Sequence, residues 1–175
     1  MYQVGVRPSY ATGFAQWPGM SEYPQLWEGL VGAWAPYLGM TGNKLLDLSG
    51  HGSSGIITGA TWVYGKSGPI LDFSGTSQYV VCTNSKAQNV DGKDFTIIVR
   101  FKIDAFTQKG FVINNGSYLN DGFFLMIDDD GSIDTRVNYD TNDAIQSTAA
   151  GLLSVNTWYD IAFIHTGATS KANTK

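Results

Sequence analysis

The residues best suited to chemistry in this chain form a polar and aromatic set in its C-terminal half. A sugar stacks its C–H face on an aromatic ring while its hydroxyls exchange hydrogen bonds with amide and carboxylate groups. Two short stretches have this composition, and we predict ligand binding by Tyr118, Asn120, Asp121, Tyr139, Asp140, Asn142 and Asp143. The alternative is that the two tyrosines only cover the ends of the fold.

The sequence carries no signature of an enzyme. His51 and His165 are the two histidines, and they lie too far apart in sequence to form a motif. The chain has no Gly-x-Ser-x-Gly nucleophile turn, no phosphate-binding loop and no His-Glu-x-x-His zinc motif. We therefore expect no enzymatic activity.

Composition limits the class of protein and its partners. A chain of 175 residues suits one domain with its own core, and its net charge of −4 without Lys/Arg clusters argues against nucleic acid and anionic membranes as partners. The single cysteine, Cys82, cannot pair within the chain, and its apolar neighbours predict a buried structural thiol. No secretory signal is visible at the N-terminus, so we expect a protein made in the cytoplasm.

The elements that must position these residues are short strands. Apolar side chains alternate from Phe95 to Ile103, which predicts a strand with Ile98 as the one apolar residue on its outer face. Other apolar runs predict strands at 30–34, 56–58, 61–64, 71–73, 79–82, 110–114, 123–128, 132–138 and 157–165. Trp34, Trp62 and Trp158 begin or lie within these runs, so we expect them in the core. Asp130-Gly131 predicts a hairpin turn, because both residues tolerate positive φ. With 21 glycines and no helical period, the chain is predicted to be an all-β antiparallel sandwich.

Five motifs make the chain resemble the laminin G-like domains, which are concanavalin A-like jelly rolls. They are GLVGAW at 29–34, DLSGHGSSG at 47–55, GKSGPILDFSG at 65–75, DFTI at 94–97 and NTWYDIA at 156–162, in the order in which the family has them. The resemblance implies an antiparallel two-sheet jelly-roll sandwich. Such domains continue through further strands, whereas residues 169–175 are polar, so we expect this jelly roll to lack its last strands. Either the domain is shortened, or a further C-terminal part or another chain supplies those strands.

The chain divides into three parts on composition. Residues 1–25 are an aromatic, Pro- and Gly-rich arm, residues 26–168 are the laminin G-like domain, and residues 169–175 are a polar tail. The arm has no strand or helix period, but its aromatic side chains favour burial. We predict that it packs on its own domain or on a neighbouring subunit, and that either this arm or a neighbouring subunit covers the strand edge left by the missing strands.

The resemblance also bears on metal binding and catalysis. It implies a calcium site in which Asp47 supplies its carboxylate and the loop with Ser49, Gly50 and Gly52 supplies oxygens; the alternative is that Asp47 only closes the turn. Glucanases of this fold need a Glu-x-Asp-x-x-Glu strand. The two glutamates, Glu22 and Glu28, belong to no such motif, so that activity is excluded.

Taken together, the residues and the resemblance predict a non-enzymatic binding or assembly module. The leading hypothesis is a virion structural or decoration protein, such as a phage surface protein, with a lectin-like fold that binds glycans. We expect it to be a homo-oligomer or part of a larger assembly, with other subunits bound through the arm. Two alternatives stay open: a free bacterial carbohydrate-binding lectin, and a glycoside hydrolase fragment that uses pairs of aspartates.

Overall fold

The computed structural model describes residues 28–36, 39–75, 77–82, 90, 93–116, 122–138 and 144–166. The chain divides into two compact units, Met1–Gln88 and Asn89–Lys175, here called the N-terminal and C-terminal units. The described parts of both are built from short antiparallel strands joined by turns, and none of those residues forms an α-helix. No helix that could cross a membrane occurs in this described part. The predicted all-β class is confirmed.

Five strands form the described core of the N-terminal unit. They are β1 (Lys44–Leu45), β2 (Gly55–Thr58), β3 (Thr61–Gly65), β4 (Gly68–Asp72) and β5 (Tyr79–Cys82). One sheet has the order β1-β2-β5, and β3 and β4 form a separate hairpin. Gly55 lies opposite Cys82, and an added Cβ at Gly55 would lie 3.1 Å from the cysteine sulfur. Cys82 is partly buried in this sheet, and burial raises the pKa of its thiol.

The first predicted strand, at residues 30–34, is wrong as a continuous strand. Only Trp34 pairs, through an isolated antiparallel bridge to Asp47. The rest of that segment is held by side chains and single hydrogen bonds: Leu48 N–H donates to the carbonyl of Ala33 at 2.7 Å, and the Trp34 indole N–H donates to the carbonyl of Ser53 at 2.9 Å. Apolar composition alone therefore predicts the wrong element here, because the segment contacts the Gly-rich loop and does not pair along its length with a neighbouring strand.

The described part of the C-terminal unit contains six strands in two sheets. They are β6 (Phe95–Lys102), β7 (Gly110–Gly116), β8 (Gly122–Ile127), β9 (Ile133–Asn138), β10 (Ala144–Ser147) and β11 (Trp158–His165). One sheet has the order β10-β9-β8-β7, and β11 pairs with β6. Of these, β10 was not predicted, because Asn142 and Asp143 before it were assigned to a binding loop. The other five lie within a few residues of the predicted positions.

The two sheets of the C-terminal unit share one apolar core. Its centre is Leu125 on β8, which is fully buried, and each sheet contributes alternate residues. Aromatic rings join the sheets: the Phe95 ring centroid on β6 lies 5.1 Å from that of Phe123 on β8. Burying one leucine-sized side chain contributes about 2 kcal/mol. The buried members are Phe123, Leu125, Ile127, Ile133, Val137, Leu153 and Phe163. This unit is thus a two-layer antiparallel sandwich, as predicted.

The register of β6 and β11 sorts their residues between the core and the outer face. Ile98 on β6 is 78% exposed and lies opposite Ala162, so the predicted apolar residue on the outer face is confirmed. On β11 the inner face holds Tyr159 and Phe163, while Trp158 is 43% exposed. Trp158 was expected in the core because it begins an apolar run. Its position one residue before Tyr159 turns it outward instead.

Two turns complete the C-terminal unit. The predicted hairpin turn after β8 is confirmed: Gly131 has a φ of 77°, and its N–H donates to the carbonyl of Asp128 at 3.1 Å. In the connection before β11, the Tyr159 hydroxyl accepts a hydrogen bond from the Ser154 N–H at 2.8 Å. Both turns are therefore fixed by polar contacts at their ends.

Candidate functional site

The best-defined polar site among the described residues is the carboxylate of Asp47. Its Oδ1 accepts hydrogen bonds from the N–H groups of Ala33 and Ser49, at 3.0 and 2.9 Å. Its Oδ2 accepts from the Ser49 hydroxyl and from the Ser53 N–H, both at 2.9 Å. The four donors come from the 30–34 segment and from both ends of the Gly-rich loop, so one side chain joins three stretches of backbone.

These contacts set the protonation of the carboxyl group. Partial burial raises the pKa of Asp47, but hydrogen bonds from Ser49, Ala33 and Ser53 lower it by more. The net pKa lies below the ordinary value of an aspartate, because each donor favours the charged form. Asp47 is therefore ionised at neutral pH.

A calcium ion fits this donor set poorly. Calcium binds six to eight oxygens, and a carboxylate ligand must offer it free lone pairs. Both oxygens of Asp47 already accept two hydrogen bonds each, and the carbonyl of Ser53 accepts the Trp34 indole N–H. Gly50 and Gly52 have φ values of 88° and 75° and shape the loop. Calcium binding by Asp47, Ser49, Gly50 and Gly52 stays a prediction, and this geometry argues against it.

Other described carboxylates are also engaged in structure. Lys109 Nζ lies 2.5 Å from Asp128 Oδ2, and this hydrogen bond lowers the pKa of the Asp128 carboxyl group. Asp130 Oδ1 accepts the Ser132 N–H at 2.9 Å and holds the hairpin turn. Within the described part of the chain, no three His, Cys, Asp or Glu side chains are grouped to hold a metal ion.

A small hollow is lined by described residues of the N-terminal unit. Its cavity volume is about 10 Å³, which suits one water molecule. Its walls include the side chains of Ala35, Leu48 and Trp62. The hydrolase alternative requires two aspartates that face each other across a cleft, and no such pair borders this hollow.

The seven predicted sugar-binding residues lie outside the described residues, but the strands that carry them are described. Gly116, at the end of β7, pairs with Gly122, at the start of β8, and Gly122 also pairs with Asn138, at the end of β9. Ala144, at the start of β10, pairs with Val137. The chain therefore leaves β7 and β9 at the same edge of one sheet. Adjacent strands lie about 4.8 Å apart, so four strands span roughly 14 Å.

Gly122 keeps this edge of the sheet closely packed. Its φ is +95°, and an added Cβ would overlap the carbonyl oxygen of Asn115 and lie 2.7 Å from the Gly116 Cα. Only glycine fits such a conformation at such a short separation from the neighbouring strand. The glycine at position 122 therefore determines the backbone conformation at the sheet edge that the two predicted binding stretches join.

A second polar surface, which sequence reasoning missed, lies on the outer face of β6 and β11. Arg100 forms an ion pair with Asp160 at 3.1 Å, and its guanidinium carbon lies 5.6 Å from the centroid of the Trp158 ring. All three side chains are exposed, so this pair contributes little to stability. Strict alternation back from the buried Phe163 would have identified Trp158 as an outer residue.

Comparison with known proteins gives one family. No curated protein and no solved structure gives a significant match to the chain. A family model described as the concanavalin A-like lectin/glucanases superfamily matches residues 74–173, which include all of the C-terminal unit's strands. The antiparallel sheets described above agree with that match. The chain belongs to the concanavalin A-like lectin/glucanases superfamily.

Proposed function

We propose that this chain is a non-enzymatic lectin-like module that binds glycans through the stretches between β7 and β8 and between β9 and β10. The observation that supports the proposal most directly is the strand register, which joins both stretches to one edge of one sheet. Two short segments that join neighbouring strand pairs of one sheet, β7 to β8 and β9 to β10, are well suited to contact one ligand. The superfamily supports a lectin-like role at the coarser level.

The residue types in these stretches suit sugar recognition. Tyr118 and Tyr139 offer one aromatic ring in each stretch, and rings of this type take the C–H face of a sugar. The amide and carboxylate groups beside them can both donate to and accept from hydroxyls; they are Asn120, Asp121, Asp140, Asn142 and Asp143. The span of roughly 14 Å at the sheet edge leaves room for a short oligosaccharide rather than a single sugar.

A glycan array with the full chain tests the proposal. Binding of at least one glycan is expected, and Tyr139→Ala and Tyr118→Ala should each weaken that binding about 3- to 10-fold, the loss that corresponds to one aromatic stacking contact. Tyr64→Ala is the matched control, because Tyr64 is a 78% exposed tyrosine on β3, in the other unit. Unchanged binding by both loop variants, or no binding to any glycan by the wild type, would contradict the proposal.

We further propose that the module works inside a larger assembly, as a virion structural or decoration protein with residues 1–25 bound to neighbouring subunits. The support is compositional: the segment combines five aromatic residue positions, Tyr2, Tyr10, Phe14, Trp17 and Tyr23, with prolines and glycines. Light scattering of the purified full chain tests this role. An oligomer that dissociates when residues 1–25 are deleted is expected, whereas a full-length monomer would favour the free bacterial lectin.

A further inference from the structure

We infer that this chain closes its Gly-rich loop without a metal ion, using the Asp47 carboxylate as a hub that gathers hydrogen-bond donors from Ala33, Ser49 and Ser53. In a calcium site of this fold, a cation would join the loop to its surroundings by binding several oxygens. Here the polarity is reversed, because the anion lies at the centre and the backbone supplies N–H groups.

The first support is the number and direction of the contacts. Asp47 accepts four hydrogen bonds between 2.9 and 3.0 Å, two at each oxygen. A carboxylate has about four lone-pair positions, so all of them are used. A cation placed beside either oxygen would meet the positive ends of N–H and O–H dipoles. It would have to displace those donors and leave their hydrogen bonds unmade.

The second support is that oxygens near Asp47 have other partners. The Ser54 hydroxyl accepts the Asp47 N–H at 3.0 Å, and the Ser53 carbonyl accepts the Trp34 indole N–H at 2.9 Å. The Ser53 hydroxyl is buried and has no hydrogen-bond partner, but one neutral oxygen is far short of the six to eight that calcium binds. The described loop thus has the contacts of a hydrogen-bonded hub and lacks the ligand set of a calcium site.

Charge balance agrees with this arrangement. The pKa of Asp47 lies below its ordinary value, since the hydrogen bonds from Ser49, Ala33 and Ser53 outweigh the effect of burial. The hub is therefore complete at neutral pH. It loses its acceptor only when acid protonates the carboxyl group.

Thermal unfolding of the wild-type chain with CaCl2 and with excess EDTA is the first test. A calcium site whose dissociation constant is about one hundredth of the added concentration would raise the melting temperature by roughly 5 to 10 °C. We expect the two melting temperatures to agree within about 1 °C, well under the shift that mass action gives for a bound ion. A calcium-dependent rise that disappears in Asp47→Asn would overturn the inference.

The second test follows the donors directly in the wild-type chain. In a ¹⁵N–¹H spectrum, the amide signals of Ala33, Ser49 and Ser53 should titrate together with one midpoint below that of an ordinary aspartate, because one carboxylate accepts all three N–H groups. Independent midpoints, or no shift, would refute the hub. Asp47→Asn should remove the common titration and lower the melting temperature, whereas Asp72→Asn, an aspartate on β4 of the same unit, should do neither.

Discussion

Replacement of Gly122 by alanine should destabilise the sheet of β7 to β10. Gly122 begins β8, and its φ of +95° is one that alanine adopts only with strain. The added Cβ would also overlap the carbonyl oxygen of Asn115 on β7. Backbone, unlike the end of a flexible side chain, cannot move aside without loss of strand pairing.

The expected cost has two parts. Holding a residue with a Cβ in this region of φ costs about 1 to 3 kcal/mol. Moving β7 away from β8 breaks one or two hydrogen bonds of the ladder near the pair Gly116 and Gly122, at about 1 kcal/mol each. Gly122→Ala should therefore lower the free energy of unfolding by about 2 to 5 kcal/mol, which corresponds to a fall in melting temperature of roughly 10 °C.

Urea unfolding followed by tryptophan fluorescence measures this change, with Gly110→Ala as the control. Gly110 begins β7 in the same sheet, its φ lies outside the left-handed region, and nothing lies within 4 Å of an added Cβ. The control should lie within about 0.5 kcal/mol of the wild type, as is usual for surface positions. If Gly122→Ala unfolded at the same urea concentration as Gly110→Ala, the close approach of β7 and β8 at this edge would be refuted.

Three further predictions can be tested by urea unfolding. Leu125→Ala should lower the free energy of unfolding by about 3 kcal/mol, because it opens a cavity at a fully buried position. Ile98→Ala, at a position that is 78% exposed, should lower it by under about 0.5 kcal/mol. Equal losses would contradict the burial of Leu125 in the core and the exposure of Ile98 on the outer face. Tyr159→Phe should lower the free energy of unfolding by about 1 kcal/mol, because it removes the acceptor for the Ser154 N–H. An unchanged free energy of unfolding would contradict that hydrogen bond. Burial lowers the pKa of His165, and Asp94 raises it by less. Because the histidine is therefore a stronger base in the unfolded chain, the unfolded state takes up more protons in acid. The free energy of unfolding should fall as the pH drops below about 6.5. His165→Gln should reduce that slope, and an equal slope in the variant would exclude this histidine as its source.

The positions of β6 and β11 followed from the sequence because their side chains alternate between a more buried and a more exposed face. In β6 the alternation of Phe95, Ile97, Val99 and Phe101 with polar residues determines both the strand and its inner face. The Asp130-Gly131 pair before β9 is also a local signal. It predicts a hairpin turn, since Gly131 adopts a positive φ. These signals lie within a few residues of each other, so no knowledge of distant neighbours was required.

Features that depend on distant neighbours were harder to predict. The segment 30–34 has the composition of a strand, yet one bridge from Trp34 to Asp47 is its only pairing among the described residues. The short strand β10 lacks a long apolar run and forms because β9 offers it four paired positions. Trp158 was assigned to the core from its hydrophobicity, whereas alternation along β11 from the buried Phe163 places it on the outer face. For residues 30–34 and for β10, the missing information was the segment with which the backbone pairs.

The Asp47 loop shows the same limit at a candidate site. A motif with Asp, Ser and three glycines is compatible with a cation held by oxygens and also with an anion held by N–H groups, because glycine lets a loop turn either its carbonyls or its N–H groups inward. What decides between them is the direction of the donors, and those of Ala33, Ser49 and Ser53 converge on the carboxylate. Ala33 lies 14 residues before Asp47, outside the motif, so the motif alone does not contain the decisive contact.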